Sequence, residues 1–158
     1  MSEKDLLKRV VQLAKDNVAS GGWPFSTIIT KNGEIIAEAV NSVHKTNDPS
    51  DHAEIAAIRK ATSKLGSPSL GGCTLYLVAP PCPMCNTCMI LANISKVVYI
   101  VDIENKDRAL SSLPLTNGLY NALENGFEVA KMDWQQNDEM LDNAVQVLSE
   151  WNNGYETA

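Results

Sequence analysis

Two short stretches of the sequence carry residue types that bind transition metals. His52 and Glu54 lie two positions apart, and Cys82 and Cys85 form a Cys-x-x-Cys pair further along the chain. One imidazole and two thiolates are ligands that zinc takes, and a catalytic zinc site leaves its fourth position to water. Glu54 would then be free to transfer a proton of that water. These residues therefore predict a zinc enzyme that uses water.

Each half of this pattern also has a simpler interpretation. Asp51 and Glu54 have the spacing of a helix capping box, with Asp51 as the N-cap. Cys82 and Cys85 follow a predicted strand and begin a predicted helix, as a thioredoxin-type redox pair does. The redox interpretation leaves His52 and Glu54 unexplained, so we prefer a metal site.

The remaining histidine and cysteines are not assigned to the metal site. Cys88 lies three residues after Cys85, and we expect it to be a small buried residue, because a fourth protein ligand would occupy the position of the water. Cys73 opens an apolar strand and is expected to be inert core. His44 lies in a polar loop and is expected to be solvated.

Hydrophobic periodicity and turn residues define the elements that must position these side chains. The predicted helices span residues 3–19, 52–65, 83–93, 115–125 and 138–151, and the predicted strands span 25–30, 34–40, 73–79, 96–101 and 127–132. The first helix has an apolar face that runs from Leu6 to Val18. Asn32 and Gly33 suit a tight hairpin turn between the first two strands. The polar segment 41–51 is predicted to be a loop.

Both metal-binding stretches lie at predicted helix starts. The partial positive charge of a helix N-terminus favours ionised thiolates, and two such ends that meet beneath a sheet would bring the ligands together. Strands that alternate with helices predict an α/β fold with a mixed sheet covered on both faces. We see no domain boundary and expect one domain over residues 1–158.

Composition narrows the class of protein. The chain has 158 residues, with 13 lysines and arginines against 19 acidic residues and a net charge of −6. Large nucleic acids are therefore disfavoured partners. No signal peptide or membrane-spanning run is evident, so we expect a cytoplasmic protein. In such a chain the four clustered cysteines indicate metal or redox chemistry rather than disulfides.

The pattern His52-x-Glu54 followed by Pro81-Cys82-x-x-Cys85 resembles the signature of the cytidine deaminase superfamily of zinc-dependent nucleobase and nucleoside deaminases. The resemblance implies a three-layer α/β/α sandwich around a mixed five-stranded sheet. It implies one zinc ion per chain, bound by the histidine and both cysteines. It also implies that Glu54 transfers protons while water replaces an amino group of the substrate. Family members usually pair, so a homodimer is expected.

Within this superfamily the sequence is most similar to small bacterial guanine deaminases. The similar stretches are Gly21-Gly22-Trp23-Pro24-Phe25, Asn47-Asp48-Pro49 and Pro81-Cys82-Pro83-Met84-Cys85. The resemblance implies that guanine is converted to xanthine with release of ammonia, with cytosine, a nucleoside or tRNA adenosine as alternative substrates. A redox or structural zinc protein is the alternative of a different class.

The resemblance also implies a set of substrate contacts. These are Asn41, Phe25, Ala53 and Trp151, to which we add Asp107 as a nearby carboxylate. Asn41 matches an asparagine that hydrogen-bonds the base in several members, although it could merely end a strand. Trp151 belongs to an aromatic chain end similar to one that closes over the base, although it could simply pack a helix end.

The sequence differs from the proteins it resembles at several positions. Pro80 precedes the motif proline, and Thr87-Cys88 follows the second cysteine where relatives have Gly-Ala. Leu113-Pro114 stands where guanine deaminases have a substrate-binding aspartate. Asp107 or Glu104 is therefore considered as a substitute for that carboxylate.

Overall fold

The structure, a computed structural model, describes residues 1–101. Its helices are α1 (Glu3–Ala19), α2 (Val43–Thr46), α3 (Ala53–Leu65) and α4 (Pro83–Leu91), and its strands are β1 (Ser26–Lys31), β2 (Glu34–Val40), β3 (Cys73–Leu77) and β4 (Lys96–Tyr99). Within these residues, no helix combines the length and the apolar character that crossing a bilayer requires.

The four described strands form one mixed sheet in the order β2-β1-β3-β4. β1 runs antiparallel to both β2 and β3, whereas β4 runs parallel to β3. The hairpin between β1 and β2 turns at Asn32 and Gly33, which have φ angles of 52° and 81°. Positive φ at both central residues is what a type I′ hairpin turn requires, so the predicted turn is confirmed.

One face of the sheet is covered by α1. Ser2 caps this helix, because its side chain accepts a hydrogen bond from the Asp5 N–H and the Asp5 carboxylate accepts one from the Ser2 N–H. Leu6 and Val10 of the helix pack with Ile28 of β1 in a buried cluster. This apolar stripe fixes α1 against the sheet.

The opposite face is covered by α3 and α4. Ala57, Ile58 and Ala61 of α3 belong to a buried cluster that includes Ile29 of β1, Leu75 of β3 and Met89 of α4. The alanines carry small side chains, which lets α3 lie close to the sheet. The described residues therefore form an α/β arrangement with helices on both faces of a mixed sheet.

The start of β1 and the ends of β2 and β3 lie at the same end of the sheet. Because β1 is antiparallel to its neighbours, its first residues lie beside the ends of β2 and β3. Ser26 pairs with Val40, and Thr27 pairs with Leu77. The segments that leave β2 and β3 lead to α3 and α4, so both helices begin near this end.

Several predicted boundaries need correction. The strand predicted at 73–79 ends at Leu77, which is the last residue paired with both neighbouring strands. The helix predicted at 83–93 ends at Leu91, and Asn93 has a left-handed φ of 56°. The segment predicted as a loop contains the one-turn helix α2.

The sheet also differs in extent from the prediction. Four strands are described rather than five, and the predicted elements at 115–125, 127–132 and 138–151 lie outside the described residues. On α1, the predicted apolar face is wrong at Val18, which is 50% exposed, whereas Asn17 is buried.

Candidate active site

His52, Cys82 and Cys85 converge at the end of the sheet where α3 and α4 begin. Their ligand atoms all lie within 4.8 Å of one another. The Nδ1 atom of His52 lies 3.6 Å from the Cys82 sulfur and 3.5 Å from the Cys85 sulfur. The structure thus brings together the three side chains that the sequence predicted would meet.

The donor set fits a zinc ion. Tetrahedral angles with Zn–S distances of about 2.3 Å and Zn–N distances of about 2.0–2.1 Å require a nitrogen-to-sulfur separation of roughly 3.5 Å. The two observed separations of 3.6 and 3.5 Å match that value. Three protein ligands also leave one tetrahedral position for water or substrate. His52, Cys82 and Cys85 are therefore positioned to bind zinc.

Helix starts place two of the three ligand residues. His52 is the N-cap of α3 and Cys82 is the N-cap of α4, and both have extended backbone angles. Neither side chain caps its own helix, so both are available to the cluster. Pro83 occupies the first turn of α4, where its missing N–H costs no hydrogen bond.

The alternative interpretation of Asp51 and Glu54 as a capping box is wrong. Since His52 is the N-cap, Glu54 is the second helical residue and not the third. The Asp51 carboxylate instead accepts a hydrogen bond from Arg59 at 3.2 Å. The Asp51 carbonyl accepts one from the Ser42 N–H at 3.0 Å. Asp51 therefore ties the loop after β2 to α3, and its N–H donates to the Asp48 carbonyl rather than to Glu54.

Glu54 is buried beside the cluster, with 8% of its surface exposed. Burial raises the pKa of its carboxyl group, and the negative charge of Cys82 raises it further. A carboxyl whose pKa is raised holds its proton more tightly than an exposed glutamate and is a better proton acceptor when ionised. Glu54 thus has the properties that proton transfer requires.

The thiols of Cys82 and Cys85 differ in pKa. A hydrogen bond from Cys85 is the main cause that lowers the pKa of Cys82 to about 4, and His52 lowers it further. The pKa of Cys85 is raised, mainly because its thiol donates to Cys82. The pKa of His52 is raised by its hydrogen bond with Cys82. One thiolate is therefore present at neutral pH before any cation contributes.

Cys73 is buried as expected, whereas Cys88 is less buried than expected. Cys73 is fully buried in the core beneath α3 and α4. Cys88 is half-buried and lies outside the metal-binding group found among the described residues. Burial raises the pKa of the Cys88 thiol, which opposes metal binding. All four cysteines are free.

Asn41 is 1% exposed and is held by its neighbours. Its N–H donates to the Phe25 carbonyl at 3.0 Å, and its side-chain Oδ1 accepts from the Val43 N–H at 3.2 Å. Its side-chain Nδ2 is buried without a hydrogen-bond partner in the described part of the chain. A buried amide donor left unpaired is costly, and the described residues supply no partner for this one.

The remaining predicted contacts divide into two groups. Phe25 is half-buried next to β1, and Ala53 is fully buried at the first position of α3. Trp151 and Asp107 lie outside the described residues.

The expectation that His44 is solvated is wrong, because both of its ring nitrogens are buried without a partner in residues 1–101.

Sequence reasoning missed Asn17, which contacts the segment around Asn41. The signal was its position in the repeat Leu6, Val10, Ala14 and Asn17, which are the four buried residues of α1. A polar residue at the end of an otherwise apolar helical stripe has lost water and needs protein partners.

Comparisons with known proteins agree with the site geometry. The sequence profile of the cytidine and deoxycytidylate deaminase zinc-binding region matches residues 1–101. Guanine deaminase of Bacillus subtilis (strain 168) is 45% identical over 103 residues, which cover 65% of this chain and 66% of that protein. The tRNA-specific adenosine deaminase of Aquifex aeolicus (strain VF5) is 40% identical over 99 residues, which cover 63% and 66%.

A solved structure extends this similarity. The X-ray structure of guanine deaminase from Bacillus subtilis superposes with a TM-score of 0.80 and 32% sequence identity, covering 97% of this chain and 95% of that one. In the sequence comparisons, the match spans about two thirds of the length of the curated relatives.

Proposed function

Because the chain belongs to the cytidine and deoxycytidylate deaminase zinc-binding family, we propose that it catalyses zinc-dependent hydrolytic deamination of a nucleobase. One observation carries the proposal, namely that three zinc-ligand side chains meet beside the buried carboxyl of Glu54. This arrangement supplies a metal-binding group and a proton carrier within one site.

The proposed chemistry assigns separate tasks to these residues. Zinc held by His52, Cys82 and Cys85 would supply a Lewis acid that lowers the pKa of water. Glu54 takes a proton from the attacking water and delivers protons to a ring nitrogen and to the leaving amine. The net reaction replaces C–NH₂ by C=O and releases ammonia. The raised pKa of Glu54 supports this double role.

Asn41 is proposed to bind the base. The Val43 N–H occupies its side-chain oxygen, and its Nδ2 is buried with no partner in the described residues. The available group is therefore an N–H donor, which fits a substrate carbonyl or an unprotonated ring nitrogen. A base that turned such an acceptor away from Asn41 would leave this donor unpaired, so the contact favours one orientation of the bound base. Phe25, Ala53, Trp151 and Asp107 remain proposed substrate contacts.

Guanine is the proposed substrate and xanthine the product. The 45% identity to a guanine deaminase supports this choice, whereas Leu113-Pro114 removes an aspartate that the resemblance leads one to expect. Cytosine or a nucleoside is the next candidate.

A tRNA adenosine substrate is a second candidate function. The 40% identity to a tRNA-specific adenosine deaminase favours it. The net charge of −6 argues against it, because tRNA binding draws on basic side chains that contact phosphates. A redox protein is a weaker alternative, since a Cys-x-x-Cys pair alone does not require the nearby His52.

Ammonia release from a panel of substrates tests the proposal. The zinc-loaded protein should release ammonia fastest from guanine, with the ultraviolet change that accompanies xanthine formation. Cytosine, adenine, cytidine and a tRNA anticodon stem-loop serve as the competing substrates. Release from none of them by a protein that contains stoichiometric zinc would refute the enzymatic proposal.

The assembly and location of the protein are also proposals. We propose one domain that forms a homodimer in the cytoplasm, and the family resemblance supports the dimer. Sedimentation velocity should give a species of about twice the 17.2 kDa chain mass. A species at the chain mass alone, over micromolar concentrations, would contradict the dimer.

A further inference from the structure

A buried amide of α1 contacts the segment that holds the proposed base-binding residue. Asn17 is 4% exposed. Its Nδ2 lies 2.7 Å from the Trp23 carbonyl oxygen and 2.9 Å from the Asn41 carbonyl oxygen. One side chain thus bonds the segment before β1 and the residue after β2 at the same time.

The chemistry of the two acceptors fixes the orientation of this amide. Both neighbours are carbonyl oxygens, which can only accept hydrogen bonds, so the atom between them must be the NH₂ donor. Its two hydrogens serve the two carbonyls. The Asn17 amide therefore makes two specific hydrogen bonds that join these two segments.

Asn41 is restrained from three sides. The Phe25 carbonyl accepts from its N–H, the Val43 N–H donates to its Oδ1, and Asn17 donates to its carbonyl oxygen. The first two contacts come from residues of its own hairpin or loop. Among the residues that the structure describes, the hydrogen bond from Asn17 is the one that links Asn41 to α1.

We propose that Asn17 is a positioning residue for substrate recognition. It holds the Asn41 backbone through the carbonyl, so that the Asn41 NH₂ group keeps one direction towards the base. This inference rests on the proposed role of Asn41 in binding the substrate. In the described residues the side-chain hydrogen bonds of Asn17 go to Trp23 and Asn41, and not to the metal-binding side chains.

Gly22 supplies an independent way to displace the same amide. A Cβ atom at Gly22 would lie 2.5 Å from Asn17 Nδ2 and 2.6 Å from its Oδ1. Gly22 is not among the described glycines with positive φ, so alanine meets no backbone strain there. The substitution Gly22→Ala would therefore act mainly by pushing the Asn17 amide off its two acceptors.

The first experiment compares Asn17→Ala with Ser26→Ala on guanine. Ser26 is a matched control, because its buried hydroxyl also joins α1 to the sheet, through a hydrogen bond of 2.6 Å to the Val10 carbonyl, but does not contact Asn41. Both variants should lose stability in urea. Asn17→Ala should raise KM roughly three- to tenfold at similar kcat, whereas Ser26→Ala should leave KM unchanged. Equal KM values in the two variants would overturn the proposal.

A double-mutant cycle separates positioning from a general loss of stability. Gly22→Ala should raise KM as Asn17→Ala does, but in the Asn17→Ala background it should add little, because the amide it displaces is gone. Effects of the two substitutions on KM that multiply would contradict the proposal. If Asn17→Ala does not fold, Gly22→Ala alone, compared with Ser26→Ala, gives the same decision.

A spectroscopic readout distinguishes failure of this inference from failure of the proposed function. If the wild-type protein deaminates no base, the function is refuted, and NMR of the Asn41 side-chain NH₂ still tests the positioning. Its resonances should shift in Asn17→Ala and in Gly22→Ala but not in Ser26→Ala. Unchanged resonances in both former variants would refute the role of Asn17.

Discussion

Glu54 is not one of the three metal-binding side chains, and its carboxyl is buried beside them and carries a raised pKa. Burial disfavours the charged form, so the proton is held more tightly than on an exposed glutamate. Such a group can receive a proton in one step of a reaction and return it in a later one. We therefore expect substitutions of single residues at the site to have the largest effects on turnover.

Replacement of Glu54 tests proton transfer directly. Glu54→Gln keeps the size and burial of the side chain but cannot carry the proton, so kcat should fall by about 10²–10⁴-fold. Ammonia release gives kcat, and atomic absorption should show unchanged zinc. Glu34→Gln, at an exposed position of β2, is the control and should keep full activity. Near-normal turnover of Glu54→Gln would mean that the carboxyl is not the proton carrier.

The metal assignment makes a separate prediction at the two neighbouring cysteines. Cys82→Ala removes one of three ligands, so the purified protein should lose stoichiometric zinc. Cys88→Ala should retain it, because Cys88 lies outside the metal-binding group. Metal analysis of both variants decides the matter, and the ligand set would be wrong if Cys82→Ala still held one zinc per chain.

At the scale of elements, the site depends on where α3 begins and ends and on how α1 is attached to the sheet. Gly66 ends α3 in the left-handed region with a φ of 62°. Arg9 of α1 donates to the Glu38 carboxylate of β2 through two hydrogen bonds, of 3.0 and 2.8 Å. Both features stabilise elements without contacting the metal-binding side chains.

The end of α3 is predicted to be sensitive to a single methyl group. Nothing lies within 4 Å of a Cβ placed on Gly66, so Gly66→Ala meets no clash and its cost comes from the positive φ alone. The free energy of unfolding should fall by about 1 kcal/mol. Urea denaturation measures the change, and Ser63→Ala on the exposed face of α3 should have a much smaller effect. An unchanged stability of Gly66→Ala would contradict the left-handed conformation.

The ion pair between α1 and β2 predicts a pH dependence. The hydrogen bonds from Arg9 are the main cause that lowers the pKa of Glu38. A carboxyl with a lowered folded-state pKa stabilises the protein above its unfolded-state pKa and loses that contribution as pH falls through the folded-state value.

A double-mutant cycle of Arg9→Ala and Glu38→Gln measures this contribution. Both side chains are partly exposed, so solvent screening limits the coupling to roughly 0.2–1 kcal/mol at pH 7. The coupling should decrease as the pH falls through the lowered folded-state pKa of Glu38, where the carboxyl becomes protonated. A coupling that does not change with pH would show that the pair does not act through charge.

At the scale of the whole molecule, a metal ion would join segments that are far apart in sequence. His52 precedes α3, whereas Cys82 and Cys85 begin α4 after the intervening strand β3. A ligand that binds only the folded state stabilises it according to its concentration and affinity, by about 2.7 kcal/mol at 100 times its dissociation constant. Metal binding should therefore couple to global unfolding.

Removal of zinc tests this coupling. Treatment with a chelator should lower the melting temperature by several degrees, and added zinc should restore it. Calorimetry of Cys82→Ala provides the control, since its melting temperature should respond to neither addition. A wild-type melting temperature that is independent of zinc would mean that the ion contributes nothing to the stability of the folded chain.

Much of this architecture was predictable because its signals are local. Three kinds of feature each depend on residues within a few positions of one another. These are the ends of α1, the hairpin turn at Asn32 and Gly33, and the helix starts at the metal-binding motifs. Backbone conformational preferences and capping act over that range. The residue types of the motif likewise determined zinc as the metal.

Tertiary structure decided which side chains lose water and which partners they find. Asn17 and Asn41 lie 24 positions apart, and their contact depends on the register of β1 with β2 and on the rotation of α1 against the sheet. A rotation of α1 by one position would have buried Val18, as periodicity suggested, and exposed Asn17. Such contacts result from packing the whole sheet, and therefore no local stretch of the sequence specifies them.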